Sequence, residues 1–244
     1  MKRKTKKNLK RIILLVIVLI ILIIALILSL KYEKEGEKNL PFGISKLLVV
    51  NTIEGERSDN PNFIWDLNLK QNNDVYIYFE KIDESQVLES ITINDFKVTE
   101  MPLKGNIRVY RPTGEFSNLY KDSEVDLIDN EIIYTAGKYD DLESLETSMQ
   151  GGVIAFRVSN EEIENYSSND DTEIVYDGTL LSKTQTTLED VKFKISFDLT
   201  IETKDGLKFE GTIELEMPLE ELITTGKSTI EITNFDDVVF KRIK

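Results

Sequence analysis

Cysteine and histidine are both absent from this 244-residue chain, and each absence removes a class of chemistry. Without cysteine there is no disulfide, no thiol nucleophile, no thiolate metal site and no acylated anchor. Without histidine there is no imidazole base, so His-based triads, two-His zinc sites and neutral-pH His switches are excluded. Carboxylates, lysine, tyrosine, serine and arginine remain for catalysis. A domain without disulfides must be held by its core, and about 200 residues suffice for one.

What the chain has is a long greasy run. Residues 12–30 are apolar, apart from one serine, with no charge and no proline. At about 1.5 Å per helical residue the run reaches about 28 Å, close to the roughly 30 Å hydrocarbon core of a bilayer. It exceeds the apolar stretch of a cleaved signal, about 7–15 residues, and no small-x-small cut site follows it. Seven cations (Lys2, Arg3, Lys4, Lys6, Lys7, Lys10, Arg11) and no acid precede it. Basic residues at a membrane end stay cytoplasmic. The expectation is a basic cytoplasmic tail (1–11), a transmembrane helix (12–30) that partners the lipid bilayer, and an extracytoplasmic C-terminal part. The whole chain carries −14 and residues 1–11 carry +7, so residues 12–244 carry −21. That charge opposes polyanions, and nucleic acid is excluded as an expected partner.

Residues 31–43 alternate charges around Gly and Pro and read as a juxtamembrane linker. From Ile44 onward the dominant period is two, the period of strands. In 193–217, Phe193, Ile195, Phe197, Leu199 and Ile201 alternate with polar residues, and Leu207, Phe209, Ile213, Leu215 and Met217 continue after Lys204-Asp205-Gly206. Opposed residues of an antiparallel pair share a face. A three-residue loop therefore fits, opposing Ile201 with Phe209 and Phe193 with Met217, with Gly206 in the left-handed position. The same logic makes 63–79 a hairpin around Gln71-Asn72-Asn73, with Trp65 in the core.

Each of these segments is followed by an acidic stretch and then by a similar strand, 91–96 or 230–235. This suggests an internal duplication. Further strands are expected at 105–111, 125–128, 131–136, 152–158 and 173–181. Short helical turns are expected from the capping box at Ser159-Asn160-Glu161-Glu162, from Pro218–Gly226 and from Asp140–Met149. The predicted fold class is all-β: an antiparallel β-sandwich, as two packed β-subdomains, 44–149 and 150–244, behind the helix.

Candidate chemistry is thin. The clusters Asp140-Asp141, Asn169–Glu173 and Asn234–Asp237 supply hard oxygens of the kind Ca²⁺ takes, but none follows the spaced EF-hand pattern, and solvated loops explain them. No cofactor is expected beyond that weak Ca²⁺ possibility. Paired carboxylates could serve a glycosidase, yet nothing singles out a pair, and no catalytic or metal-binding residue is assigned. Gln150-Gly151-Gly152 lacks the helix and Lys-Ser/Thr of a phosphate loop. Arg157 stands among apolar strand neighbours, facing a buried acid or lying on a half-exposed face.

Tyr76 and Tyr78 fall on the face opposite Val75, Ile77 and Phe79, and Tyr110 with Arg108 can join them. Aromatic rings on a sheet face stack sugars or peptide side chains; packing by a second layer is the alternative. The expected function is a non-enzymatic, membrane-anchored binding or assembly module of a bacterial cell envelope, with an envelope protein or glycan as partner. The alternative is a carboxylate-dependent hydrolase of envelope glycans.

Overall fold

Alternating inward side chains build two six-stranded sheets that share one core. The computed structural model describes residues 2–32, 40–58, 60–113, 120, 124–125, 131–137 and 145–243, and, within the first helix, side chains at 12–27. In chain order the elements are α1 (Lys2–Tyr32), β1 (Phe42–Arg57), β2 (Trp65–Lys81), β3 (Leu88–Glu100), β4 (Asn106–Tyr110), β5 (Glu124–Val125), β6 (Ile132–Ala136), β7 (Leu145–Thr147) and β8 (Gly152–Ser168). Then follow α2 (Thr179–Lys183), α3 (Leu188–Val191), β9 (Phe193–Thr203), β10 (Lys208–Met217), α4 (Glu221–Thr225), β11 (Lys227–Ile232) and β12 (Lys241–Arg242). The first sheet has the order β11-β1-β2-β8-β4-β5 and the second β12-β10-β9-β3-β6-β7. All pairings are antiparallel except β6 with β7.

The fold is all-β, and the sheets do not divide at 149/150. Strands from both sides of that boundary pair in each sheet, β2 with β8 in one and β3 with β9 in the other. Phe96 of β3 and Phe197 of β9 meet Phe156 of β8 in an aromatic triangle, with ring centroids 5.2–5.7 Å apart. One cluster of buried side chains thus joins both layers. Leu40 and Phe42 already belong to it, so the packed domain begins ahead of the expected Ile44.

The hairpin expected at 193–217 forms as the pattern requires. Ile201 opposes Phe209 and Phe193 opposes Met217. Gly206 has φ +76° and donates its N–H to the Thr203 carbonyl at 2.8 Å. The wet face carries the ion pairs Glu202–Lys208, 2.9 Å, and Lys194–Glu216, 3.2 Å.

The hairpin expected at 63–79 does not form. β2 runs unbroken through Gln71-Asn72-Asn73, which are 0%, 1% and 0% exposed. A three-residue loop preserves the parity of its flanks, so one straight strand gives the same two faces. What decides is partners. Asn73 accepts from Asn51 Nδ2 (2.6 Å) and Gln71 Nε2 (2.8 Å), and its own Nδ2 donates to the Val158 carbonyl at 2.7 Å. Ser228 Oγ donates to Asn51 Oδ1 at 2.8 Å. Two of the amides that looked like a turn, Gln71 and Asn73, belong to a buried belt across four strands. With no first hairpin, the hairpin-then-strand pattern of the suggested duplication is lost.

Three other expectations change. The capping box at 159–162 lies inside β8, where Glu162 (φ +56°) sits in a bulge. Between Asn160 (opposite Gln71) and Glu164 (opposite Leu69), β8 carries two more residues than β2; such bulges re-aim a strand. The strand expected at 173–181 is coil followed by α2, and 145–147 of the third expected turn is β7, the rest of 140–144 lying outside the described residues. The turn expected at Pro218–Gly226 is α4, closed by Gly226 at φ +69°.

At one corner β6 meets the edge of β8. The Tyr134 hydroxyl donates to the Ala155 carbonyl at 2.5 Å and accepts from the Ala155 N–H at 3.0 Å. Burial pushes this phenol up to about 12. Of α1, the side chains from Ile12 to Ile27 are all apolar and all exposed. Among the described residues, no helix is long and apolar enough to cross a membrane.

Candidate binding face

The outer face of the first sheet takes every second residue of β1, β2, β8 and β4. Strand register arranges these in rows: Lys46, Tyr78 and Val153; Leu48, Tyr76 and Ala155; Val50, Asp74, Arg157 and Tyr110; Thr52, Asn72, Ser159 and Arg108. All four residues expected from the sequence (Tyr76, Tyr78, Tyr110, Arg108) therefore share this face. They do not form one cluster, because β8 separates the β2 pair from the β4 pair.

Each pair is engaged differently. Lys46 places its ammonium 4.5 Å from the Tyr78 ring centroid. Tyr110 donates its hydroxyl to Glu161 Oε1 at 2.6 Å, and Arg108 Nε lies 3.4 Å from Glu161 Oε2. The β4 pair is thereby tied to the β8 bulge. Tyr76, Tyr78 and Tyr110 are all half-buried, and Arg108 is exposed.

The centre of the face holds groups that sequence reasoning missed as a unit. Arg157 opposes Asp74 in register and grips it with two bonds, Nε–Oδ1 2.6 Å and Nη2–Oδ2 3.0 Å. Of the two alternatives for Arg157, the half-exposed face is the one realised; its acid partner Asp74 is half-buried, not buried. Burial alone would lower the guanidinium, but the hydrogen bond and charge of Asp74 outweigh it and the net shift is upward. Tyr120 lies over the guanidinium, 4.4 Å from ring centroid to Cζ, and is 5% exposed. Burial, then the Asp74 charge, pushes the phenols of both Tyr120 and Tyr76 upward, so both are neutral donors at ordinary pH.

Tyr120 thus covers the middle of the face, while Tyr78, Lys46, Leu48 and Val153 stay at one side of it. The cover comes from the connection between β4 and β5, not from the other sheet. The available signal was the shared parity of Asp74 and Arg157 with opposite charge; nothing local marks Tyr120.

Trp65 is not in the main core. It is half-buried against a smaller cluster with α2 and α4, and its Nε1 donates to the Thr172 carbonyl at 3.2 Å. The acidic loops use their oxygens locally: Asp170 Oδ1 accepts from Thr172 N–H and Asn234 Oδ1 from Asp236 N–H. Asp140-Asp141 lies outside the described residues. Among the described residues, no group of three or more such side chains is placed to hold a metal ion. Asp66 is held below the ordinary carboxylate range by hydrogen bonds from Ser167 and Ser58. Its role is to join the ends of β1, β2 and β8.

No protein-family model matches this chain, and neither a curated protein nor a solved structure shows significant similarity to it.

Proposed function

We propose that this chain is a single-pass, membrane-tethered binding or assembly module of a bacterial cell envelope, with its N-terminus cytoplasmic and its β-sandwich outside. One observation carries the reading. From Ile12 to Ile27 every side chain of α1 is apolar and exposed, a surface that water penalises on all sides. That stretch rises about 24 Å and is by itself too short to cross; the apolar sequence continues to Leu30 and brings the run to about 28 Å, near the bilayer core. The seven cations ahead of it supply the orientation. For the binding role, the support is the half-buried aromatic margin around Tyr78. An envelope protein or glycan is the partner, by the chemistry of stacking on phenol rings.

Among the described residues, the hydrolase alternative has no observation in its favour. A glycosidase needs one carboxyl pushed up to act as acid. Asp66, Asp83, Glu164, Asp177, Asp190 and Glu216 are instead each lowered, first of all by a hydrogen bond.

The test uses the full chain expressed in bacterial cells. The protein should stay with membranes through alkaline carbonate extraction, and protease added to intact spheroplasts should cut the sandwich away. Recovery in the carbonate supernatant, or complete protection from external protease, overturns the proposal.

A further inference from the structure

The second sheet ends in an incompletely paired strand. β12 covers β10 only at Phe209 and Glu210, and beyond them no described strand pairs with that side of β10. The hairpin register says which groups are left. The Thr203 N–H bonds the Leu207 carbonyl, so Phe209, Gly211, Ile213 and Leu215 turn their backbone groups to β9, and Thr212, Glu214 and Glu216 turn theirs outward. The Ile243 N–H, which takes the outward Lys208 carbonyl at 2.8 Å, fits this phase.

Beside this edge the chain crosses from β11 to β12 through residues 233–240. Phe240 lies flat on Gly211, where a Cβ would come within 3.1 Å of the ring, and Phe235 and Val238 pack against the main core. Between crossover and edge is a cleft of about 400 Å³. Its floor is apolar (Leu47, Ile213, Leu215, Ile232, Phe235, Val238), and its rim is Thr212, Glu214, Asn234 and Asp237. The neighbouring acids on β10 are engaged, Glu216 by Lys192 and Lys194 and Glu210 by Thr200. Glu214 and Asp237 have no ion-pair partner among the described residues.

We propose that the open edge of β10 at Thr212–Glu216 captures an extended basic segment of a partner protein by strand addition. This proposal rests on the binding-module reading and names its partner. The main chain of the guest pairs with the outward groups of Thr212 and Glu214. Its alternate side chains then fall on the two faces of the sheet, apolar ones into the cleft and lysine or arginine beside Glu214. The net −21 of residues 12–244 draws such a guest. A second copy is the wrong occupant, because antiparallel pairing of β10 with itself sets Glu214 and Glu216 among like charges.

The experiment titrates the full chain in detergent micelles with three synthetic peptides: Lys-Val-Lys-Val-Lys, Glu-Val-Glu-Val-Glu and Lys-Val-Pro-Val-Lys. The first should bind saturably and slow amide hydrogen exchange at Thr212 and Glu214 at least tenfold. The second should not bind, and the third, with a central donor removed, should bind at least tenfold more weakly. Glu214→Lys, on an exposed position, should weaken the first peptide at least tenfold while leaving the fold's circular dichroism unchanged. Equal binding of the first and third peptides, protection elsewhere, or a peptide-free dimer through β10 overturns the proposal. Failure here leaves the carbonate and protease result standing, so the two readings fall separately.

Discussion

The long strands β1 and β2 serve two hydrophobic clusters of unequal build. On one side of the amide belt, Leu47, Val49, Val75, Ile77 and Phe79 face the second sheet and join a core that also holds Phe156, Phe193 and Phe197. On the other side, Ile53, Leu67 and Leu69 meet Leu180, Leu181 and Leu222 from the short helices α2 and α4, with Trp65, Tyr166, Ile174 and Ile223 half-buried around them. Parity is continuous across the belt, so the strands do not register the change. What changes is the opposing layer, a sheet in one case and two five-residue helices in the other. Burial per strand residue is similar; the difference is how many aromatic partners stand opposite, and how easily they can close a gap.

That contrast can be broken in three places. The largest effect is expected from Phe197→Ala, which removes one corner of the aromatic triangle from between two rigid sheets. A loss of about 4 kcal/mol in denaturant unfolding is expected. Next is Asn73→Ala, which strands the Asn51 and Gln71 amides and removes the side-chain bond to the Val158 carbonyl. About 3 kcal/mol is expected, since each buried orphan costs about 1–3 kcal/mol; an effect within 0.5 kcal/mol would mean that the belt is solvated. Smallest is Leu180→Ala, at about 2 kcal/mol, the low end for a buried leucine because α2 is short enough to shift inward. If Leu180→Ala cost more than Phe197→Ala, the ranking of the two clusters would be reversed.

Much of the fold was legible where the local pattern and the tertiary partner agree. The 193–217 register follows from parity plus charge, because the Glu202–Lys208 and Lys194–Glu216 pairs both lie within the one hairpin. The reading failed at 63–79 because parity cannot separate a three-residue loop from no loop. The partners that decide the matter, Asn51, Val158 and Ser228, are distant in sequence. The 159–162 box failed for a related reason: a pattern that caps helices is also compatible with a bulged strand, and β4 and β2 supply its pairing. At the candidate face, strand parity placed Tyr76, Tyr78, Tyr110 and Arg108 on one side of a sheet. It could not place Tyr120, which lies over Arg157 and belongs to no strand.

The Tyr134 clasp on Ala155 bears on the traffic of foreign strands. Where β4 ends, the flank of β8 would present a bare rung, a standing invitation to aggregation. One phenol answers both the donor and the acceptor of that rung, so an arriving chain finds nothing to grip there. Masking this rung removes one handhold at that corner, whereas the outward groups of Thr212 and Glu214 on the other layer have no such cover among the described residues.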